Sequence, residues 1–400
     1  MVGRVLLFIS LTCSMLFGYL ITENNFAQQE RVLKSLDINT SFLKDPILLS
    51  MSDDVNLYRT KHFLSILDRG YIFAPALRQM IAEASIPEAF LYLAMAESNF
   101  SARAYSKARA VGLWQFMPYT AKKFGLKIDE YVDERRDPVK STKAAIKYLE
   151  YLHKDFEKWY LAAMAYNCGE GRVRRAIKQA GTDDLAVLID PVKKYVPLET
   201  RNYIRKIITM AHLSGSADFL LSHDGEYLLN QGSSFGFEPV TVPAGTTLES
   251  VAKSVGLPVS VIKEYNVHLN YFFTPPVEYE IYIPYDKKAE FAKNFKPEKN
   301  ASGFYVYHVK KGDSLYEIGK KYGLNYKIIK DYNSLKTNTL KIGQKLIIPS
   351  AKAGNRHYII QQGDTLGAIS RKFNVSLQAL MQANELKNTN IYPGNKIVIP

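Results

Sequence analysis

"YLAMAESNFSARAYSKARAVGLWQFMP", residues 92–118, decides how the chain is read. An apolar run of tyrosine, leucine, alanine and methionine ends in one acid, Glu97, and no further carboxylate follows until Asp129. From Pro87 the segment "PEAFLYLAMAE" is apolar on nearly every side, and proline suits a first helical position, so a buried central helix is predicted to start there. Glu97 then lies at or near its C-terminal end. Burial and the negative end of the helix dipole both disfavour the carboxylate and raise its pKa, which is the condition a general acid needs near neutral pH. On these residues alone a plainer reading stays open, a glutamate closing a helix in an ion pair with Arg103 or Lys107.

Around this stretch, residues 28 to about 220 show apolar recurrence at three and four residues, broken by Pro87, Pro118, Pro138, Pro191 and Pro197. They predict helices throughout. "GSADFLLSHDGEYLLNQGSSFG" at 215–236 carries turn signals, and short β-like runs begin only after it. The chain then repeats itself. Residues 307–349 superpose without a gap on 358–400, placing Gly312 on Gly363, Asp313 on Asp364, Leu315 on Leu366, Asn333 on Asn384 and Gly343 on Gly394. Each copy reads strand, Gly-Asp turn, two helices, Asn-containing turn and strand, a small βααβ module. Ser314 and Glu317 have capping-box spacing. A fainter copy at 240–284 keeps Gly245, Leu248 and Asn266 but has Thr246 where the aspartate stands. The fold class is therefore α+β and multidomain, a mostly α region followed by βααβ modules.

Four hundred residues with 47% hydrophobic content suffice for several cores. Residues 301–400 hold fifteen Lys and Arg against five Asp and Glu, so most of the formal +13 lies in the last quarter. That balance suits an anionic or carboxylate-bearing polymer. With no arginine-rich stripe or recognition motif, nucleic acid is not an expected partner. Arg4 followed by an apolar run from Val5 to Ile21 has the layout of an export signal or of a retained anchor giving membrane association through the N-terminus. Removal of such a signal would leave Cys168 as the only cysteine and no intramolecular disulfide. His62, His153 and His212 lack ligand spacing, so neither a metal nor a cofactor is expected. Trp159 is expected in the core. Trp114 suits either the core or a sugar-stacking face.

The repeats resemble lysin motif (LysM) domains, which bind glycan strands of peptidoglycan and chitin. The resemblance implies binding grooves near Gly312, Asp313 and Ser314 with 338–342, and near Gly363, Asp364 and Thr365 with 389–392. The same glycines and aspartates also simply make a turn and cap a helix. Glu97-Ser98, then "GLWQFMP" from Gly112, "AYNCGEGRV" from Ala165 and "ETRNYIRK" from Glu199 resemble the soluble lytic transglycosylase domain, a lysozyme-like helical fold. With the N-terminal run and the repeats, the likeness narrows to the membrane-bound lytic murein transglycosylases. It implies Glu97 as catalytic acid and base, and Ser98, Ser106, Gln115, Met117, Tyr166, Asn167 and Tyr203 as substrate-binding residues. The domains expected are an export signal or anchor over 1–27, a helical region over 28–80 and the catalytic domain over 81–220. A degenerate LysM-like module over 238–285 and LysM modules over 305–350 and 356–400 follow. Exported to the cell envelope, such a protein would act on peptidoglycan glycan strands.

Glycosidases generally use two carboxylates, and the opening stretch offers one. The resemblance implies that Glu97 protonates the glycosidic oxygen and then serves as base while the muramic hydroxyl attacks its own anomeric carbon, leaving a 1,6-anhydro end. "IDEYVDERRDP" at 128–138 holds the other nearby acids, Asp129, Asp133, Glu134 and Asp137, and reads as a solvated charged connection. A hydrolytic muramidase and a noncatalytic peptidoglycan-binding scaffold are the alternatives. Cys168 is expected to pack and take no part in the chemistry.

Overall fold

The computed structural model describes residues 23–54, 60–70, 72–221, 236–275, 277–296, 304–333, 335–349, 356–373, 377–384, 386 and 388–399. The apolar run expected to serve as signal or anchor lies outside them, as does most of the expected break at 215–236. Among the described residues no helix is long and apolar enough to cross a membrane. The chain divides into two compact units, one holding residues up to Lys127 and Arg135–Gly236, the other Ile128–Glu134 with Phe237 onward.

The first unit is helical, as its periodicity predicts. α1 (Glu23–Ser35), α2 (Pro46–Asp54), α3 (Thr60–Gly70) and α4 (Ala74–Glu83) come before α5 (Leu91–Ser98). α6 (Pro118–Lys123), α7 (Pro138–Phe156), α8 (Trp159–Cys168), α9 (Glu170–Ala180), α10 (Leu185–Leu188), α11 (Leu198–Ser214) and α12 (Ala217–Leu221) follow. α5 is the buried helix anticipated, with Leu91 through Met95 all buried. Its start differs from expectation. Pro87 has φ −54° and ψ 127°, extended backbone that caps a 3-10 turn over Glu88–Phe90, so the α-helix opens at Leu91.

α8 is apolar on all sides in the same way, burying Tyr160 through Ala165, and α11 packs against both α5 and α8. Helices apolar all round must be covered on every face, and these neighbours cover one another. Truncating a wholly buried side chain such as Leu93 should cost roughly 2–5 kcal/mol. α7 starts where sequence rules place it: Pro138 is its first residue, and the Asp137 carboxylate accepts the N–H groups of Val139 and Lys140.

The second unit contains three βααβ modules. In the first, β1 (Phe237–Val242), α13 (Leu248–Ser254), α14 (Val259–Tyr265) and β2 (Tyr279–Pro284) precede a short α15 (Lys288–Asn294). The second has β3 (Phe304–His308), α16 (Leu315–Tyr322), α17 (Tyr326–Tyr332) and β4 (Lys345–Pro349). The third has β5 (Arg356–Ile359), α18 (Leu366–Lys372), α19 (Leu377–Ala383) and β6 (Lys396–Ile399). In each, the two strands pair antiparallel, in registers that include Val240↔Ile281, Val306↔Ile347 and Tyr358↔Ile397.

One asparagine per module ties the second helix to the last strand. The Asn333 amide donates to the carbonyls of Ile329 and Ile347, and its oxygen accepts the Ile347 N–H, each at 2.7 Å. Asn384 makes the same three bonds to Leu380 and Val398, and Asn266 to Ile262 and Tyr282. The first two modules share one apolar core, which also takes in Tyr131 and Val132, whereas the third has a core of its own around Ile360, Leu366, Ile369 and Leu380.

The segment read as a solvated connection is instead largely buried. Asp133, Glu134, Arg135 and Asp137 are each at most 8% exposed. Charge density in sequence suggested water, but local partners take the place of solvent. Asp129 accepts the N–H groups of Tyr131 and Val132, Asp137 caps α7, and Glu134 accepts the Tyr279 hydroxyl at 3.1 Å. The Asp133 N–H donates to the His268 carbonyl at 2.8 Å, which fastens Ile128–Glu134 to the first module.

Candidate active site

Glu97 is the penultimate residue of α5, and the helix stops just beyond it because Asn99 and Phe100 both take left-handed backbone, φ 52° and 54°. The Glu97 carboxylate meets a tyrosine, not an arginine or lysine side chain: the Tyr203 hydroxyl donates to Oε1 at 2.5 Å from α11. Burial pushes the Glu97 pKa up to about 7, while the Tyr203 hydrogen bond and the Lys206 charge pull it down and the Glu199 charge adds to the rise. Lys206 is itself half-buried and donates to the Ala96 carbonyl at 2.9 Å. Glu97 is thus a carboxyl group poised to hold or release a proton near neutrality.

Glu199 and Lys206 are participants that sequence reasoning passed over. A signal for them existed: residues 199, 203 and 206 stand four and three apart on α11, so the tyrosine, the acid and the base share one helical face. Tyr166, near the end of α8, also senses Glu97, whose negative charge adds to burial in raising the phenol pKa. Its hydroxyl donates to the Trp114 carbonyl at 2.7 Å, which ties α8 to the loop after Gly112. Asn167, the next residue, accepts the Thr200 hydroxyl at 2.7 Å. Glu97, Tyr166 and Tyr203 therefore form one cluster, with Asn167 held between α8 and α11.

The loop "GLWQF" is a rigid support for this cluster. At Gly112, φ is +84° and an added Cβ would fall 1.7 Å from the Arg135 carbonyl oxygen, so only glycine fits. Arg135 braces the loop by donating to the carbonyls of Arg109 and Phe116. Trp114 resolves to the core reading: it is fully buried and its indole N–H donates to the Thr142 hydroxyl at 2.8 Å. Gln115 adopts positive φ, 46°, and its amide donates to the Gly112 carbonyl at 2.9 Å. Met117 is 43% exposed. Ser106 accepts the Ala110 N–H and Ser98 donates to the Ala94 carbonyl, so both hydroxyls serve local backbone in this state. Trp159 is half-buried, stacked on His153 at 3.7 Å and edge-on to Phe90. Burial raises the Cys168 pKa, the opposite of an activated thiol.

The transglycosylase SLT domain model matches residues 75–189, the LysM domain model matches 307–349 and 358–400, and the LysM-like domain model of lytic transglycosylase MltD matches 236–299. The chain carries an SLT transglycosylase domain and LysM modules. Membrane-bound lytic murein transglycosylase D of Escherichia coli strain K12 is 27% identical over 341 residues, 80% of this chain and 74% of that protein. A putative tributyltin chloride resistance protein of an Alteromonas species is 45% identical over 98 residues, covering 24% and 47% of the two chains. The Bacillus cereus spore cortex-lytic enzyme SleL matches over 24% of this chain and 23% of its own at 34% identity, with a TM-score of 0.14. Together the SLT domain and LysM modules mark a peptidoglycan lytic transglycosylase.

In the two LysM modules the Gly-Asp turn serves the fold. The Asp313 carboxylate accepts the Tyr307 hydroxyl and the Lys310 N–H, both at 2.7 Å, and Asp364 repeats this with Tyr358 and Gln361 at 2.8 Å. Gly312 and Gly363 supply positive φ, 89° and 88°. Ser314 and Thr365 cap α16 and α18, so the expected capping residue is in place. These six residues shape the turn, and any sugar contact they make is additional to that. In the LysM-like first module the corresponding loops close on each other. Gly245 N–H donates to Pro275, Thr274 N–H to Thr246 and Leu248 N–H to Phe272, all at 2.8–2.9 Å. Tyr332, from α17 of the neighbouring module, lies over them with its hydroxyl on the Thr274 carbonyl at 3.1 Å.

Proposed function

We propose that this lytic transglycosylase cleaves the β-1,4 bond between N-acetylmuramic acid and N-acetylglucosamine without water and leaves 1,6-anhydromuramoyl ends. The observation that carries the reading is the state of Glu97: one buried carboxyl, balanced near pH 7 and held by a phenol, can donate a proton to the glycosidic oxygen and take one back. A retaining hydrolase would need a second carboxylate as nucleophile. Three of the candidates in 128–138 have other occupations: Asp129 in a turn, Asp137 in a helix cap and Glu134 in the hydrogen bond to Tyr279. With no external nucleophile, the muramic 6-hydroxyl attacks its own anomeric carbon. The glycosidic oxygen leaves with the proton from Glu97, and the carboxylate then accepts the hydroxyl proton.

Tyr203 orients Glu97 and limits the rise in its pKa, while Tyr166 and Asn167 form the adjoining wall. Gln115, Met117 and Ser106 are assigned to the cleft on the strength of their motif, and Ser98 to support of the helix end. The modules over 307–349 and 358–400 hold glycan, whereas the closed loops of the first module suit a spacer. The N-terminal apolar run supports export to the envelope, where the substrate is, and the reaction there remodels the wall.

Glu199 is the observation that favours a second reading, since its charge reaches Glu97 from an exposed position on α11. Masses of the fragments released from purified murein separate the two. Products lighter by one water than hydrolytic muropeptides support transglycosylation; products with free reducing ends would make the protein a muramidase. Glu97→Gln should clear no murein in a zymogram, and equal clearing by variant and wild type would remove Glu97 from the mechanism.

A further inference from the structure

Four cationic side chains, Arg172 and Arg175 of α9 with Lys194 and Arg201, line an open pocket of about 450 Å³ on the catalytic unit, together with Gln179 and Tyr195. Among the described residues no acidic one lines it. Three of the cations are exposed, but Arg201 is only 8% exposed, and its buried Nε has no hydrogen-bond partner among the described residues. A guanidinium so placed lacks both solvent and a counter-ion at that nitrogen, an arrangement that a bound anion would relieve. Asp190 is near enough to feel Arg201, yet its carboxylate accepts the N–H groups of Val192 and Lys193 at 2.7 and 2.8 Å and holds the turn before α11. The pocket shares α11 with the reaction cluster, and its α9 follows directly on α8. Arg201 stands two residues before Tyr203 on α11, and the charge of Arg172 is felt at Cys168, next to Asn167.

We infer that this pocket is a recognition site for a carboxylate on the peptide that branches from the muramic sugar, bound while the glycan bond lies at Glu97. The inference rests on the murein substrate proposed above. Muramic residues carry their peptides as acidic side branches, so an anionic group follows the sugar chain at a regular interval. A cation cluster on the same unit as the acid would set which muramic bond is presented. Arg172, Arg175 and Lys194 attract the branch, and Arg201 supplies the buried donor.

The test compares two substrates, glycan strands with their peptides and the same strands stripped by an amidase, using full-length wild type, Arg172→Gln/Arg175→Gln and Lys194→Gln. For the double variant, KM on peptide-bearing strands should rise about fivefold with kcat unchanged, the size expected of exposed ion pairs. KM on stripped strands should not move. Wild type should lose its preference for peptide-bearing strands as salt rises. Equal changes on both substrates, or no change on either, would overturn the site while leaving the transglycosylase intact. Wild type cleaving neither strand would overturn the catalytic reading and this one with it. The exposed positions keep the test independent of folding, and Arg201→Lys, which keeps a charge but removes the Nε donor, should weaken the same preference.

Discussion

Glu97 is held by opposing effects, burial raising its pKa further than Tyr203 and Lys206 lower it, and its chemistry is sensitive to single atoms. Tyr203 stabilises the ionised form, so Tyr203→Phe should move the alkaline limb of the pH–rate profile upward by about one unit while lowering the maximal rate. A limb that stays in place would show that Tyr203 does not set the proton balance. Stability should respond in a defined direction. The folded pKa of Glu97 lies above its ordinary value of 4.5, at about 7, so the fold binds the proton more tightly than the unfolded chain. Its contribution is complete below about pH 4.5 and declines as pH rises through 7. Glu97→Gln, which keeps the neutral shape, should match wild type near pH 4 and gain on it by pH 8, on the order of 3 kcal/mol. Thermal melts of the two proteins across that range check the sign.

Much at this scale was legible. Glu97 showed itself as a lone acid on an apolar helix, and Tyr203 by its place in "ETRNYIRK". Lys206 and Glu199 were legible only once the helical face of Tyr203 was traced. The acids of 128–137 were misread because charge is a poor guide to exposure when backbone N–H groups and a tyrosine hydroxyl can satisfy it locally.

Among the elements, the "GLWQF" loop and the module asparagines are the places where one residue carries a whole turn. Gly112→Ala would force the Arg135 carbonyl aside and should destabilise the catalytic unit by about 3 kcal/mol or more, with loss of cleavage. A variant that melts like wild type would mean the loop yields more easily than its packing implies. Asn384→Ala removes three hydrogen bonds and should unfold the third module at a lower temperature, by about 2–4 kcal/mol, without touching cleavage of soluble fragments. The asparagine stood out in the repeat alignment as part of a turn. Its bonds to the last strand could not be read there, because they join residues 14 apart that only the fold brings together.

At the level of the whole chain, weak modules linked to one catalytic unit raise the local concentration of substrate. The third module is the clean place to test this, since its core is separate from that of the other two. Ending the chain after Pro349 should leave the rate on soluble fragments unchanged and reduce retention on intact sacculi several-fold, measured by pull-down. Undiminished retention would make that module dispensable for binding. A cut near residue 237 is a different matter. It would strip the cover from Tyr131 and Val132, which are 5% and 0% exposed in the core they share with the first two modules.

The repeats made the three modules plain, yet nothing in them announced that residues 128–134 belong with the first. That excursion has a consequence for inheritance. An exon or gene fragment ending at the SLT domain would encode an enzyme with an apolar wound, whereas one ending at Pro349 would encode a finished surface. The first module is therefore bound to travel with the enzyme through duplication and recombination, and the third is free to be copied, lost or exchanged.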